Sequence, residues 1–170
     1  PESWKCYSNL ARHSESEFSG ISINDPEFQL SKKNYPSFQP TIDGEKINIQ
    51  LGYEISDYQQ KILEPVLVNH LSFLKSKTGN LLENIFITQK FLNKEEFFGI
   101  DDIKFWKFKY QLFTDYEKAD LDYFSVLSKK VAEESIIINN TNDHWLKNGI
   151  KSYLEIQYLK KFYPNHLLLG

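Results

Sequence analysis

The chain has no methionine and only one cysteine, Cys6, among its 170 residues. A lone cysteine excludes an internal disulfide and a cysteine-rich zinc knuckle, and it leaves the redox compartment open. With no methionine and Pro1 at the front, a natural start upstream is expected, and with it any targeting signal. Basic charge is also scarce: 20 Lys and Arg stand against 23 Asp and Glu, for a net charge of −3 and a pI near 5.8. No overall basic field exists to attract phosphates or anionic head groups, which argues against nucleic acid as a partner. Long apolar runs are missing too. The longest uncharged run inside a candidate helix, Pro65 to Leu74, falls well short of the roughly 20 apolar residues that cross a bilayer. The chain also has no Gly-x-Ser-x-Gly elbow, no phosphate loop, no cysteine beside a base and no internal repeat.

What is present belongs to a folded globular protein: 41% apolar and 15% aromatic residues with 25% charged. Residues 1–52 lack helical periodicity and carry Pro26, Pro36 and Pro40 between short apolar clusters, so they read as a β-rich lead-in. Phe18 to Ile23 and Phe28 to Leu30 are strand candidates, and Asp43-Gly44 signals a turn before a strand over Lys46 to Tyr53. Ser56 can cap a helix from Asp57 to Lys77, with Ile62, Val66, Leu67, Leu71 and Leu74 on its apolar face. Pro65 is expected to kink that helix or to move its start downstream. His70 reads as a histidine on the flank of the helix, bonded to backbone or water. Asn84 to Phe91 reads as a strand. In Phe105 to Phe113, Trp106, Phe108, Tyr110 and Leu112 alternate with Lys107, Lys109 and Gln111, a half-buried strand. Aromatics interleaved with lysines could also stack single-stranded nucleic acid, but these share one strand face that a core would claim first.

A helix follows over Asp115 to Glu134, with Tyr116, Ala119, Tyr123, Phe124, Leu127 and Val131 on one face. A last helix is expected over Asp143 to Phe162, with Leu146, Ile150, Tyr153, Leu154 and Tyr158 inward and Pro164 as its stop. The order of strands, helix, strands, helix, helix predicts an α+β fold, a small mixed sheet packed on helices. Few groups here carry chemistry. Glu95-Glu96, Asp101-Asp102 and Glu133-Glu134 are adjacent carboxylates, a spacing of loops and solvated faces, so no acid–base role is assigned to them. His144 with Asp143 and Glu155 makes a poor metal site, because neighbouring helical residues point about 100° apart and no second histidine lies a turn away.

The stretch Asp143-His144-Trp145-Leu146-Lys147-Asn148-Gly149-Ile150-Lys151-Ser152-Tyr153-Leu154-Glu155 resembles Asp-x-Trp-Leu-Asn-Glu-Gly-Phe-Ala-x-Tyr-x-Glu of the membrane alanyl aminopeptidases, a branch of the gluzincin zinc peptidases. Asp143, Trp145, Leu146, Gly149 and Tyr153 carry the likeness, which spans roughly 53–170. The resemblance implies the N-terminal lobe of a thermolysin-like peptidase domain, with 1–52 as the end of an upstream β-domain. In that family the Glu before the Gly is the third zinc ligand, and here it is Asn148. The family's His-Glu-x-x-His motif, whose second His lies nineteen positions earlier, would fall on Ser125, Val126 and Lys129. Neither Ser125 nor Lys129 replaces a neutral imidazole, and Val126 cannot take a proton from water. No Gly-Ala-Met-Glu-Asn signature is present, and Phe98-Gly99-Ile100-Asp101 occupies its place. The resemblance therefore implies a peptidase-like domain without its zinc ligands, a non-catalytic scaffold or a binder of peptide or protein, and no cofactor. The alternative is an active zinc aminopeptidase whose site is completed in an unusual way or by further domains of a longer chain. The family also suggests a periplasmic or cell-envelope location. If the two helices are the family's site helices, Ser125, Lys129 and Asn148 should face one another, with Trp145, Ile150 and Tyr153 packed beneath the first.

Overall fold

Asp43 and Gly44 both take positive φ, 50° and 85°, as a two-residue hairpin turn matched to the twist of its strands requires. They close a hairpin in which Ile42 faces Glu45 and Thr41 faces Lys46. A computed structural model describes residues 4–15, 17–20, 26–94, 114–134 and 144–166. The expected strand over 105–113, the segment 98–101 and Asp143 lie outside the described residues. Within them the order is β1 Lys5–Ser8, β2 Ala11–Arg12, β3 Phe18–Ser19, β4 Phe28–Ser31, β5 Ser37–Phe38, β6 Thr41–Ile42, β7 Glu45–Lys46 and β8 Asn48–Leu51. Then come α1 Asp57–Thr78, β9 Asn84–Ile87, α2 Gln89–Lys94, α3 Asp115–Glu134, α4 His144–Phe162 and a 3-10 turn, Pro164–His166. The fold is mixed α+β, as expected.

Its central sheet has the order β5-β8-β9. β5 runs antiparallel to β8, and β9 runs parallel to it, with Ile49 beside Ile85 and Leu51 beside Ile87. A parallel neighbour needs a crossover, and α1 supplies it. Ile85, Phe86 and Ile87 are all buried, so both faces of β9 are covered, as in sheets layered between other elements. Gly52 follows β8 at a close approach: a Cβ there would lie 2.5 Å from Gln29 Oε1 and 3.0 Å from the Phe86 ring. Gln29 Nε2 in turn donates to the Gly52 carbonyl at 2.9 Å, and the Gly52 amide donates to that of Ile87 at 2.8 Å. Lys130 of α3 reaches Glu27 at 2.9 Å, a second tie between the β-rich lead-in and the rest.

Several boundaries differ from the expected ones. The strand expected over Asn84 to Phe91 stops at Ile87. Beyond it Gln89 and Lys90 are exposed, and the Thr88 carbonyl accepts from Leu92 as a helix begins. The strand expected over Lys46 to Tyr53 divides into β7, paired with β6, and β8, paired with β5 and β9. Of Phe18 to Ile23, Phe18 and Ser19 are strand and Gly20 is not, while 21–25 lie outside the described residues. Pro65 leaves the start of α1 in place; it is exposed, so water can satisfy the carbonyl that loses its helical donor.

The start of α1 is set by Ser56, whose hydroxyl accepts from the Gln59 amide at 3.2 Å while the Gln59 side chain accepts from the Ser56 amide at 2.9 Å. This reciprocal box satisfies two helix-end donors. At the other end Gly79, at φ 80°, takes the left-handed cap conformation and donates to the Lys75 carbonyl. Ser56→Ala is expected to lower stability by about 1 kcal/mol, read as an earlier urea midpoint at unchanged slope. An unchanged midpoint would mean that the cap contributes nothing net.

Candidate functional site

The apolar stripes of α1, α3 and α4 bring the three helices together, and each stripe carries one polar group to their junction. On α1 the buried positions are Leu63, Leu67, His70, Leu71, Phe73 and Leu74, a spacing that makes His70 part of the stripe. On α3 Asp120 precedes Phe124 by one turn, and on α4 Tyr158 follows Leu154 by one turn; all four are buried. His70 Nε2 lies 2.9 Å from Asp120 Oδ1. The Tyr158 hydroxyl donates to Asp120 Oδ2 at 2.9 Å, and the Tyr163 hydroxyl, just past α4, donates to the same oxygen at 2.8 Å. One carboxylate thus joins all three helices. Aromatic rings enclose it: Phe124 stacks on Tyr158 at 3.9 Å, and His70 meets both edge-on at 5.4 and 5.3 Å.

Burial by itself would push the Asp120 carboxyl up, but the bond from His70, the charge of that group and the bonds from Tyr163 and Tyr158 outweigh it. They hold Asp120 below the ordinary carboxylate range. The same burial, with the Asp120 charge and hydrogen bond, drives the Tyr158 and Tyr163 hydroxyls upward, so both stay protonated donors. His70 Nδ1 is buried and has no hydrogen-bond partner among the described residues. A histidine in this state is not a general base for an outside substrate, because the nitrogen left over by Asp120 does not reach solvent. The group positions helices and holds a negative charge. Asp120 also borders a pocket of about 190 Å³ between α1 and α3, whose walls include Ile62, Val66 and Tyr123. Tyr123 hydrogen-bonds to Tyr53 across its edge, and burial raises both phenols.

His70 is therefore a core residue and not the flank histidine expected from the sequence. The α1 stripe is rotated from the expected one: Leu63 is buried, whereas Ile62 is 39% exposed. On α3, likewise, Tyr116 and Ala119 are exposed and Asp120 and Leu121 are buried. A polar residue at the centre of an apolar stripe was the signal for both His70 and Asp120. Their pairing spans 50 positions, and periodicity within one helix does not report it.

Of the positions that the resemblance assigns to metal chemistry, Ser125 and Val126 are buried on α3, Lys129 is half-buried, and Asn148 is exposed on α4. α3 and α4 do pack along each other. The expected filling beneath α3 does not occur as stated: Ile150 and Leu146 are half-buried, but Trp145 is 70% and Tyr153 55% exposed. At about 100° per residue, the nine positions from Trp145 to Leu154 amount to half a revolution. The face that gives Leu154 and Tyr158 to the core thus turns Trp145 to the outside. Gly149 is exposed, and an added Cβ would meet nothing within 4 Å among the described residues. Glu155, the motif's last residue, is buried and forms an ion pair with Lys151 at 3.2 Å. Among the described residues no three His, Cys, Asp or Glu side chains form a metal-sized group, and no helix is long and apolar enough to cross a membrane. No family model, no curated protein and no solved structure matches the chain.

Proposed function

We propose that the chain is a peptidase-like domain of the gluzincin aminopeptidase type that has lost its zinc ligands and serves as a non-catalytic scaffold or as a binding domain for a peptide or protein. One observation carries the reading. Among the described residues α3 and α4 are successive helices packed on each other, as the zinc-bearing pair of that family would be, and their four chemical positions hold Ser125, Val126, Lys129 and Asn148. A hydroxyl, an ammonium and a carboxamide do not make the imidazole and carboxylate set that tetrahedral zinc takes from such helices. Valine has no proton to exchange with a bound water. Helix packing survives that loss, because it rests on buried residues such as Leu121, Phe124, Leu127, Leu154 and Tyr158. Each large side chain contributes roughly 1.5–3 kcal/mol of burial.

Elemental analysis of purified full chain, together with an assay on aminoacyl anilides, tests the reading. The expected result is zinc far below one per chain and no hydrolysis above background. One tightly held Zn²⁺ per chain, with hydrolysis lost on chelation and regained with metal, would establish the active-enzyme alternative instead.

A further inference from the structure

We propose that the pocket between α1 and α3 binds a small primary ammonium carrying a compact apolar group, with its charged head against Asp120; this stands apart from the zinc question. The first support is the accounting of the carboxylate. A carboxylate offers about four acceptor positions, and His70, Tyr158 and Tyr163 fill three of them. The second is charge. His70 Nε2 takes up one position on Oδ1, while its Nδ1 is buried without a partner among the described residues. The Tyr158 and Tyr163 hydroxyls donate without cancelling the negative charge of Asp120. Among the described residues no lysine or arginine pairs with Asp120; Lys118 acts on Asp122 instead. The Glu117 carboxylate also acts on Tyr163, adding negative potential at this end of α3.

The third support is shape. Asp120 keeps 8% of its side chain accessible and borders the pocket, whose other walls are mostly the side chains of Ile55, Ile62, Leu63 and Val66, with Tyr116 at the rim. A volume of about 190 Å³ lies below the roughly 300–1,000 Å³ of sites for drug-sized ligands. It admits one ring or branched chain. An ammonium, a compact point charge with three donors, fits the single open acceptor better than a planar guanidinium. Apolar walls strengthen the attraction by excluding water.

The test is an amide-resolved NMR titration of the full chain with 2-phenylethylamine and, separately, with its neutral isostere 2-phenylethanol. The amine is expected to give saturable shifts at both 59–66 and 116–123, and to bind at least about tenfold more tightly than the alcohol, the worth of a hydrogen bond to a charged group. Ala119→Phe should abolish binding of both, since Ala119 is an exposed lining residue whose enlargement fills the space without touching the Asp120 bonds. Asp120→Asn, where it folds, should erase the preference for the amine. Absence of saturation up to the solubility of the amine, equal affinity for the two compounds, or binding unchanged in Ala119→Phe would each overturn the proposal.

Discussion

Asp120→Ala is expected to lower the stability of the protein by about 3–5 kcal/mol, the cost of breaking a buried charged network from one side. The magnitude follows from what is left behind. His70 Nε2, the Tyr158 hydroxyl and the Tyr163 hydroxyl all direct donors at the two oxygens, and each buried donor without an acceptor costs about 1–3 kcal/mol. Tyr163 is half-buried, so water can replace part of its loss; His70 and Tyr158 have no such relief. Tyr158→Phe deletes one hydroxyl and leaves Asp120 with two donors, so it should cost about 1 kcal/mol. Urea unfolding decides the matter: if Asp120→Ala costs no more than Tyr158→Phe, the carboxylate is not the joint between the helices.

The same network sets a dependence on pH. The folded Asp120 carboxyl is depressed below its ordinary value, so its contribution is present above the unfolded-state pKa of about 3.9 and is lost as pH falls through the folded one. Unfolding free energy of the natural protein should therefore decline in acid more steeply than that of Asp120→Asn, whose amide does not titrate. Parallel declines would assign the acid loss to other carboxylates.

Local signals were legible where the physics is local. Ser56 and Gln59 stand three apart and form the cap that their spacing implies. Asp43-Gly44 makes the turn, and the helix expected over Asp115 to Glu134 is found with those bounds. What failed was the direction of the faces. Ile62 and Leu63 are neighbours, and whichever faces the core is settled by the partner helix, not by α1 alone. Trp145 is the clearest case. The aminopeptidase resemblance put it beneath the preceding helix, yet it lies opposite the Leu154 and Tyr158 face and is exposed. His70 read as a flank histidine, and Asp120 drew no reading, because the partner that makes burial tolerable is on another helix in each case.

Phe124→Ala is the second large effect, expected at about 3–5 kcal/mol. The ring is fully buried at the point where α1, α3 and α4 meet. It stacks on Tyr158 at 3.9 Å with an interplanar angle of 18°, and lies edge-to-face with His70 and with Phe73 at 5.7 Å. Removing it deletes transfer energy, leaves a void that three helices cannot close together, and forfeits aromatic contacts worth roughly 0.5–1.5 kcal/mol each. Phe124→Leu keeps most of the volume and should lose less than half as much. The void would also open beside His70 and Tyr158, two of the three donors to Asp120, so the ring and the carboxylate should be coupled. The double variant Phe124→Ala with Asp120→Ala is then expected to fall short of the sum of the single losses by more than about 0.5 kcal/mol, beyond the scatter of independent sites. Losses that add within that limit would mean that the aromatic cluster and the hydrogen-bonded carboxylate hold the helices separately.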